Sequence, residues 1–304
     1  MKLYELWNHQ YRQNRYLKDA TDNEIDQRIK YLIENLTTLE LNGKIGLSSP
    51  SGDSHFLMES FSHANEELRI RNRKPAQNFL KDSAIPTPQT DKSAKYKNLT
   101  LQVKSLNGEL FKFGKKKYLL PSLKNGLFRI SPAESYNDPS LNHAIKDDEL
   151  SIELIAPKDE VKLTTMNGDP IIPVSDIKME FQLPSNYYVF CLSETFNIRL
   201  FEDFEADSCL VINNANEFVK RMQTEFNKTV PGWMPIASPV EYVDPYRYSK
   251  NGRQPIVHIS KHIRYFYQKE FRLIWDKQIS KNTKLAHQHI YIKNMDEICH
   301  LVEL

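Results

Sequence analysis

The chain has 304 residues, of which 40% are hydrophobic, 11% aromatic and 26% charged. This composition excludes a disordered chain, which would combine few apolar residues with a large net charge. The 41 basic and 39 acidic residues leave a net charge of +2, so no global field indicates nucleic acid or a membrane as partner. No apolar run approaches the roughly 18 residues of a bilayer span, and the first ten residues lack the apolar core of a secretion signal. We therefore expect a soluble cytoplasmic protein with no membrane partner.

The first hundred residues carry mainly helical patterns. Thr21 and Glu24 have the spacing of a capping box, and apolar residues recur behind them on one helix face. A second helix is predicted over residues 55–73, and the prolines and small polar residues of 83–93 indicate a linker. We therefore predict a helical N-terminal region with linker over residues 1–95, whose helices are available for partner or oligomer contacts.

Residues 96–304 carry mostly strand patterns. Period-two alternation predicts a strand over residues 99–104, and Asn107-Gly108 has the form of a hairpin turn. Further strands are predicted at 109–113, 126–131, 150–155, 186–193, 208–212 and 271–275, and helices at 118–124 and 216–226. Because regular crossover helices do not separate the strands, the pattern predicts an α+β domain with a mixed or antiparallel sheet.

Three cysteines, at positions 191, 209 and 299, are too few and too widely spaced for a disulfide framework or a zinc cage. Cys191 and Cys209 lie in apolar strand-like segments. We predict that each is a small buried hydrophobic residue.

Two polar patterns stand out in the predicted strands. Ser193 and Thr195 are two residues apart, so on a strand both hydroxyls face one side. If residues 264–275 are extended, Gln268 and Glu270 also share a face, which Arg272 continues. Hydroxyls at a strand end either position a ligand or satisfy the backbone, and Glu270 beside Arg272 is either a site or a surface ion pair.

Several short motifs in order resemble a widespread, uncharacterised bacterial domain family. They are Leu110-Phe-Lys-Phe-Gly, Gly126-Leu-Phe-Arg-Ile-Ser-Pro, Asn137-Asp-Pro, Cys191-Leu-Ser and Lys269-Glu-Phe-Arg. The resemblance covers residues 108–276, and the family itself supplies no activity.

A more distant resemblance is to the ADP-ribosyltransferase superfamily, which includes the poly-ADP-ribose polymerases and the DarT-type toxins. That superfamily has an Arg or His on its first core strand, then a Ser-x-Ser/Thr strand, then a Gln-x-Glu or Glu-x-Glu strand. Here the matching order is Lys112 or Arg129, then Ser193-x-Thr195, then Gln268-x-Glu270. The first position departs from the pattern because it holds a lysine, with Arg129 as a possible substitute.

The resemblance implies a split-sheet fold, NAD as substrate, no metal, and a macromolecular acceptor that is either protein or nucleic acid. It further implies a bacterial toxin or an anti-phage defence effector. Glu270 would stabilise the oxocarbenium-like state that forms when nicotinamide leaves, and Gln268 would orient the nucleophile. The implied cofactor-binding residues are Lys112, Tyr118, Arg129, Tyr136, Ser193 and Thr195.

Two other functions remain open at this point. A metal-dependent nuclease would use a carboxylate cluster formed by Asp138, Asp147, Asp148 and Glu149 to hold magnesium. A non-enzymatic module would bind protein or single-stranded nucleic acid through the aromatic segments 242–248 and 262–267.

Overall fold

The computed structural model describes residues 2–48, 52, 54–103, 108–247, 254–277 and 283–304. The helices are α1 Leu3–Gln13, α2 Asp22–Leu36, α3 Ser54–Ile70, α4 Ser93–Gln102, α5 Lys116–Asn125, α6 Arg199–Asp203 and α7 Ala215–Thr229. Short 3-10 helices cover Thr90–Lys92, Ala133–Asn137, Val257–Ile259, Ile263–Gln268 and Met295–Glu297.

The main sheet has eight antiparallel strands. They are β3 Leu110–Gly114, β4 Leu127–Pro132, β9 Tyr188–Ser193, β10 Ser208–Ile212, β11 Met234–Pro239, β14 Glu270–Asp276, β15 Gln288–Tyr291 and β16 Cys299–Glu303. Their order is β11-β14-β9-β3-β10-β16, with β4 paired to both β9 and β15. The α+β prediction is therefore confirmed.

Smaller pairs of strands surround this sheet. They are β1 Thr37–Leu39 with β2 Ile45–Leu47, β5 Ser151–Ala156 with β8 Ile177–Gln182, β6 Leu163–Thr164 with β7 Pro170–Ile171, and β12 Glu241–Val243 with β13 Ser260–His262. The β12–β13 pair is parallel and lies directly before β14 in the chain. It supplies several of the polar groups described below.

The two sides of the main sheet are covered by different helices. Phe218, Met222 and Phe226 of α7 pack with Phe190 and Trp275 on one side. A second apolar cluster on the other side joins strands β3 and β10 to α4 and α6. Burial of these apolar surfaces on both sides is the main favourable contribution to folding.

One prediction for this region is wrong: residues 99–102 belong to helix α4 and not to a strand. Tyr96 and Leu99 are buried three residues apart, which is a helical spacing. The alternating apolar residues that suggested a strand are too few to distinguish the two-residue period of a strand from the 3.6-residue period of a helix. The described residues do not include 104–107. The end of the predicted strand and the predicted hairpin turn at Asn107 therefore lie outside them.

Other local signals are confirmed. The Glu24 N–H donates to the Thr21 hydroxyl, and the Glu24 carboxylate accepts the Thr21 N–H at 2.8 Å, which completes the capping box of α2. Helix α5 ends at Gly126, whose φ is +67°. A Cβ on Gly126 would lie 1.7 Å from the Ile292 carbonyl oxygen, so only glycine allows the close approach that anchors the end of β15.

The N-terminal helices are joined to the rest of the chain by buried charges. The guanidinium of Arg28 on α2 donates to both carboxylate oxygens of Asp244, each at 2.6 Å, and both residues are buried. In the predicted linker, the Ala84 N–H donates to Glu34 and its carbonyl accepts from Arg199, both at 2.7 Å. Within the described residues, no helix combines the length and apolar character that crossing a membrane requires.

Candidate functional site

The main sheet opens on one side of β9. Strand β14 pairs with β9 along its whole length, but the opposite side of β9 is shared between two strands. Strand β4 pairs with it at Tyr188 and Val189, and β3 pairs with it only at Ser193. Between these pairings, the ammonium of Lys112 donates to the Cys191 carbonyl at 2.7 Å. Lys112 therefore lies where β3 and β4 diverge.

The register of β9 and β14 defines one side of this opening. Cys191 is paired with Arg272 and Ser193 with Glu270, so these four side chains project from the same side of the sheet. We call this side the Cys191 face. Arg129 belongs to it as well, because it is two residues from Ser131, which is paired with Val189.

Glu270 is an ionised carboxylate in the interior. Its oxygens lie 2.7 Å from the Lys261 ammonium and 2.8 Å from Nε of Arg272, and the Cys191 thiol also hydrogen-bonds to it. Burial opposes ionisation, but the combined attraction of Arg272 and Lys261 outweighs it and holds the pKa of Glu270 far below its ordinary value. The Glu270 carboxylate is therefore a fixed negative charge at the start of β14, paired with two cations.

A second carboxylate shares the same two cations. Oε2 of Glu149 lies 2.6 Å from Nη2 of Arg272, although the two atoms are not aligned for a hydrogen bond. Oε1 of Glu149 lies 3.8 Å from the Lys261 ammonium. Burial raises the pKa of Glu149 to about 7 despite both cations. The two carboxylates beside Arg272 therefore have pKa values shifted in opposite directions, upward for Glu149 and downward for Glu270. In many active sites such a pair of carboxyl groups divides the roles of general acid and general base.

Gln268 lies next to this network, but it is not on the strand that carries Glu270. The condition under which Gln268 and Glu270 would share a strand face is not met, because Ile263–Gln268 is a 3-10 helix and Lys269 is left-handed with φ of +44°. The Gln268 amide donates to the Ala144 carbonyl at 2.7 Å, and its oxygen accepts from Lys261 at 3.3 Å. Lys261 therefore brings the amide and the carboxylate together.

Ser193 and Thr195 connect the end of β9 to the start of β14. The Ser193 hydroxyl lies 2.8 Å from the Gln268 carbonyl and 2.9 Å from the Thr195 carbonyl, and it accepts the Thr195 N–H at 3.2 Å. These backbone contacts occupy the buried Ser193 hydroxyl. Thr195 is exposed beyond the strand end.

Three of the predicted cofactor-binding residues, Lys112, Arg129 and Tyr136, interact electrostatically with one another or with Cys191 and Glu270. Burial lowers the pKa of Lys112, and nearby Arg129 lowers it further. Tyr136 hydrogen-bonds with Ser131, and its phenol pKa is raised by burial and then by Cys191 and the carboxylates of Glu149 and Glu270. Lys112 projects from the other side of the sheet, because Phe111 and not Lys112 shares the side of Ser193, and its ammonium lies 4.6 Å from the centre of the Phe190 ring.

Tyr118, the remaining predicted residue, lies elsewhere. It is on α5 with 66% of its surface exposed, and the Lys117 ammonium lies 4.9 Å from its ring centre.

The prediction of a buried cysteine is confirmed for Cys209 but is wrong for Cys191. Cys299, for which no such prediction was made, is buried as well. Cys191 is partly exposed and hydrogen-bonds to Glu270. Burial and then the Glu270 carboxylate raise the pKa of its thiol. A protonated thiol is a poor nucleophile, so Cys191 is suited to lining the opening and not to covalent catalysis.

The carboxylates of the nuclease hypothesis are separated in the structure. Asp138 and Asp148 are exposed and accept backbone N–H groups of Ser140 and Leu150. Asp147 and Glu149 lie near Lys261. Within the part of the chain that the structure describes, no group of three or more His, Cys, Asp or Glu residues has a metal-binding arrangement.

The aromatic segments of the binding-module hypothesis are largely internal. Tyr246, Tyr265 and Tyr267 are buried. The Tyr242 hydroxyl accepts the Glu270 N–H at 2.8 Å. These rings pack inside the protein, and Tyr248 lies outside the described residues.

Sequence reasoning missed Lys261 and Asn35. Lys261 lies nine residues before Glu270, between Ser260 and His262, and this mixed polar and apolar segment carries no local signal for a buried ammonium. Asn35 is on α2 and contacts residues 263–267, which are more than 200 positions away in the chain. No short-range pattern could have revealed that contact.

No family model, curated protein or solved structure matches this chain. The resemblance to the ADP-ribosyltransferase superfamily therefore stays a prediction, and the function has to be argued from the site.

Proposed function

We propose that the protein is an NAD-consuming enzyme that breaks the bond between nicotinamide and ribose and transfers the ADP-ribosyl group to an acceptor. The observation that carries the proposal is the ionised Glu270 carboxylate, held by Lys261 and Arg272 on the Cys191 face. A fixed negative charge in a poorly solvated site stabilises a developing positive charge more strongly than it would in water.

The reaction needs such a charge. The C–N bond breaks with its electron pair leaving on nicotinamide, so positive charge develops on the ribose ring as in glycoside hydrolysis. A lone pair of the acceptor then forms the new bond to the ribose carbon, and the acceptor releases one proton. The Glu270 carboxylate stabilises the positive charge on the ribose ring between the two bond changes.

The neighbouring residues support binding of the rest of the dinucleotide. Arg129 is an exposed cation on the Cys191 face and is suited to the pyrophosphate. Lys112 projects from the opposite face, where its ammonium donates to the Cys191 carbonyl. Tyr136 offers an aromatic ring beside Cys191 for stacking. Gln268 acts in this proposal as a positioning residue, because its amide oxygen helps to hold the Lys261 ammonium.

Release of nicotinamide from NAD, followed by chromatography, tests the proposal. We expect the purified chain to release nicotinamide and Glu270→Gln to lower the rate at least about 100-fold, the effect of removing one preorganised electrostatic group. Glu153→Gln, on an exposed position of β5, is the matched control. Absence of nicotinamide release from the wild-type chain, or an unchanged rate in a folded Glu270→Gln protein, would refute the proposal.

A second variant covers the case in which Glu270→Gln unfolds the protein. Arg129 is exposed on β4, so Arg129→Gln leaves the interior unchanged. We expect it to raise the KM for NAD about tenfold or more with little change in kcat. An unaltered KM would contradict the assignment of the pyrophosphate to this side of the sheet.

A further inference from the structure

The edge strand β15 places histidines beside Arg129. His289 is directly paired with Arg129 in the antiparallel β15–β4 ladder, so the two side chains project from the same side and are near neighbours. His287 precedes β15, and Arg129 and His289 both lower its pKa electrostatically. All three side chains are exposed.

These groups lack acidic partners. Within the described residues, none of Arg129, His287 and His289 forms an ion pair or a hydrogen bond with a carboxylate. The connecting segment 278–286 contains two lysines and no acidic residue in its sequence. Among the described residues, Arg129 and the two imidazoles therefore offer N–H groups to an anion without a competing carboxylate.

Arg129 also lies in line with the proposed reaction centre. If the β4–β9 register is continued past Ser131 and Val189, Arg129 lies opposite Cys191, across the opening that Lys112 borders. Two inter-strand steps separate the strands of Arg129 and Glu270, which is at least roughly 10 Å at the usual strand spacing. A dinucleotide bound with its diphosphate at Arg129 would extend toward Glu270.

We infer that His287 and His289 of the β15 edge form, together with Arg129, an anion-binding site for the diphosphate of a dinucleotide. The naming of a dinucleotide rests on the proposed function, whereas the anion site itself rests on the geometry of β4 and β15. The imidazoles donate N–H groups to phosphate oxygens, and the guanidinium adds a bidentate contact. Partial burial lowers the pKa of His287, and Arg129 and His289 lower it further, which is the effect that a bound anion would reverse.

Calorimetric titration of the full chain with inorganic pyrophosphate tests the site without any turnover. We expect wild-type protein to bind, and His289→Gln and Arg129→Gln each to weaken binding at least fivefold. His300→Gln is the matched control, because His300 is on β16 and contacts Asn213. No binding by the wild-type chain, or equal binding by His289→Gln, would overturn the inference.

The same variants in the NAD assay separate the two proposals. Weakened pyrophosphate binding in His289→Gln, together with a wild-type chain that leaves NAD intact, would support the anion site and remove the proposed function. NAD cleavage with an unchanged KM and unchanged pyrophosphate binding in His289→Gln would support the function and remove the anion site. A raised KM together with weakened pyrophosphate binding supports both, and identifies the diphosphate of NAD as the anion.

Discussion

The ammonium of Lys261 lies 2.7 Å from the carboxylate of Glu270, and each side chain keeps only 5% of its surface exposed. Lys261 belongs to β13 and Glu270 begins β14, so this contact ties the small parallel pair to the main sheet. It also brings Gln268, Asp147 and Glu149 around one cation. The charge state of the candidate site therefore depends on Lys261.

Replacing Lys261 by methionine tests this dependence. The change removes one of the two cations that hold Glu270 and leaves a buried carboxylate with Arg272 alone. Breaking one side of a buried ion pair costs about 3 to 5 kcal/mol, so we expect the free energy of unfolding to fall by that amount. Urea denaturation measures it, and nicotinamide release should be lost in parallel.

Lys178→Met is the control for Lys261→Met. Lys178 pairs with Glu24 at 2.9 Å, but 58% of its side chain is exposed. An exposed pair contributes about 0 to 1 kcal/mol, so this variant should unfold almost as wild type does. Equal stabilities of the two variants would show that Lys261 does not hold the network together.

Asn35 links the N-terminal helices to the candidate site. Its amide donates to the carbonyls of Ile263 and Arg264, both at 3.1 Å, and its oxygen accepts the Tyr267 N–H at 2.9 Å. These contacts fix the 3-10 helix that ends at Gln268. We expect Asn35→Ala to lower the free energy of unfolding by about 1 to 3 kcal/mol, because buried backbone groups lose their partners.

Activity should fall as well, through poorer placement of Gln268 and Lys261. Comparison of kcat for Asn35→Ala and Asn65→Ala measures this effect. Asn65 on α3 also donates to a backbone carbonyl, but its contact is local and exposed. A kcat that follows only the loss of stability, so that folded Asn35→Ala protein turns over as wild type, would limit Asn35 to a structural role.

The sequence predicts the local elements of this fold well where signals are strong. The capping box of α2, the glycine after α5 and the apolar run of β10 each match the structure. These signals depend on neighbouring residues. The strand predicted over residues 99–104 overlaps the end of helix α4, because so short a run of apolar residues fits both a strand period and a helix period.

The candidate site was harder to predict because its geometry comes from distant segments. A left-handed Lys269 ends the 3-10 helix and starts β14 one residue after Gln268, and nothing in the residue type requires that conformation. Strands β15 and β16 were not predicted, so the histidines beside Arg129 were not considered. The pairing of β9 with both β3 and β4 is a tertiary feature that local patterns do not encode.

Glu149 makes the stability of the protein depend on pH. Its pKa is about 7 in the folded state, mainly because of burial, and about 4.5 in the unfolded chain. Between these values the folded state keeps a proton that the unfolded state has released, so rising pH favours unfolding. The stabilisation is complete below about pH 4.5 and is lost as the pH rises through about 7.

Glu149→Gln removes this proton exchange, and the comparison with wild type tests it. From pH 5 to pH 8, the free energy of unfolding of wild type should fall relative to that of the variant by on the order of 2 to 3 kcal/mol. Urea denaturation of both proteins at the two pH values measures the difference, with Glu153→Gln on the exposed side of β5 as control. Parallel pH profiles of wild type and Glu149→Gln would mean that Arg272 and Lys261 keep Glu149 ionised throughout, and the separation of the two carboxylates into acid and base would then be wrong.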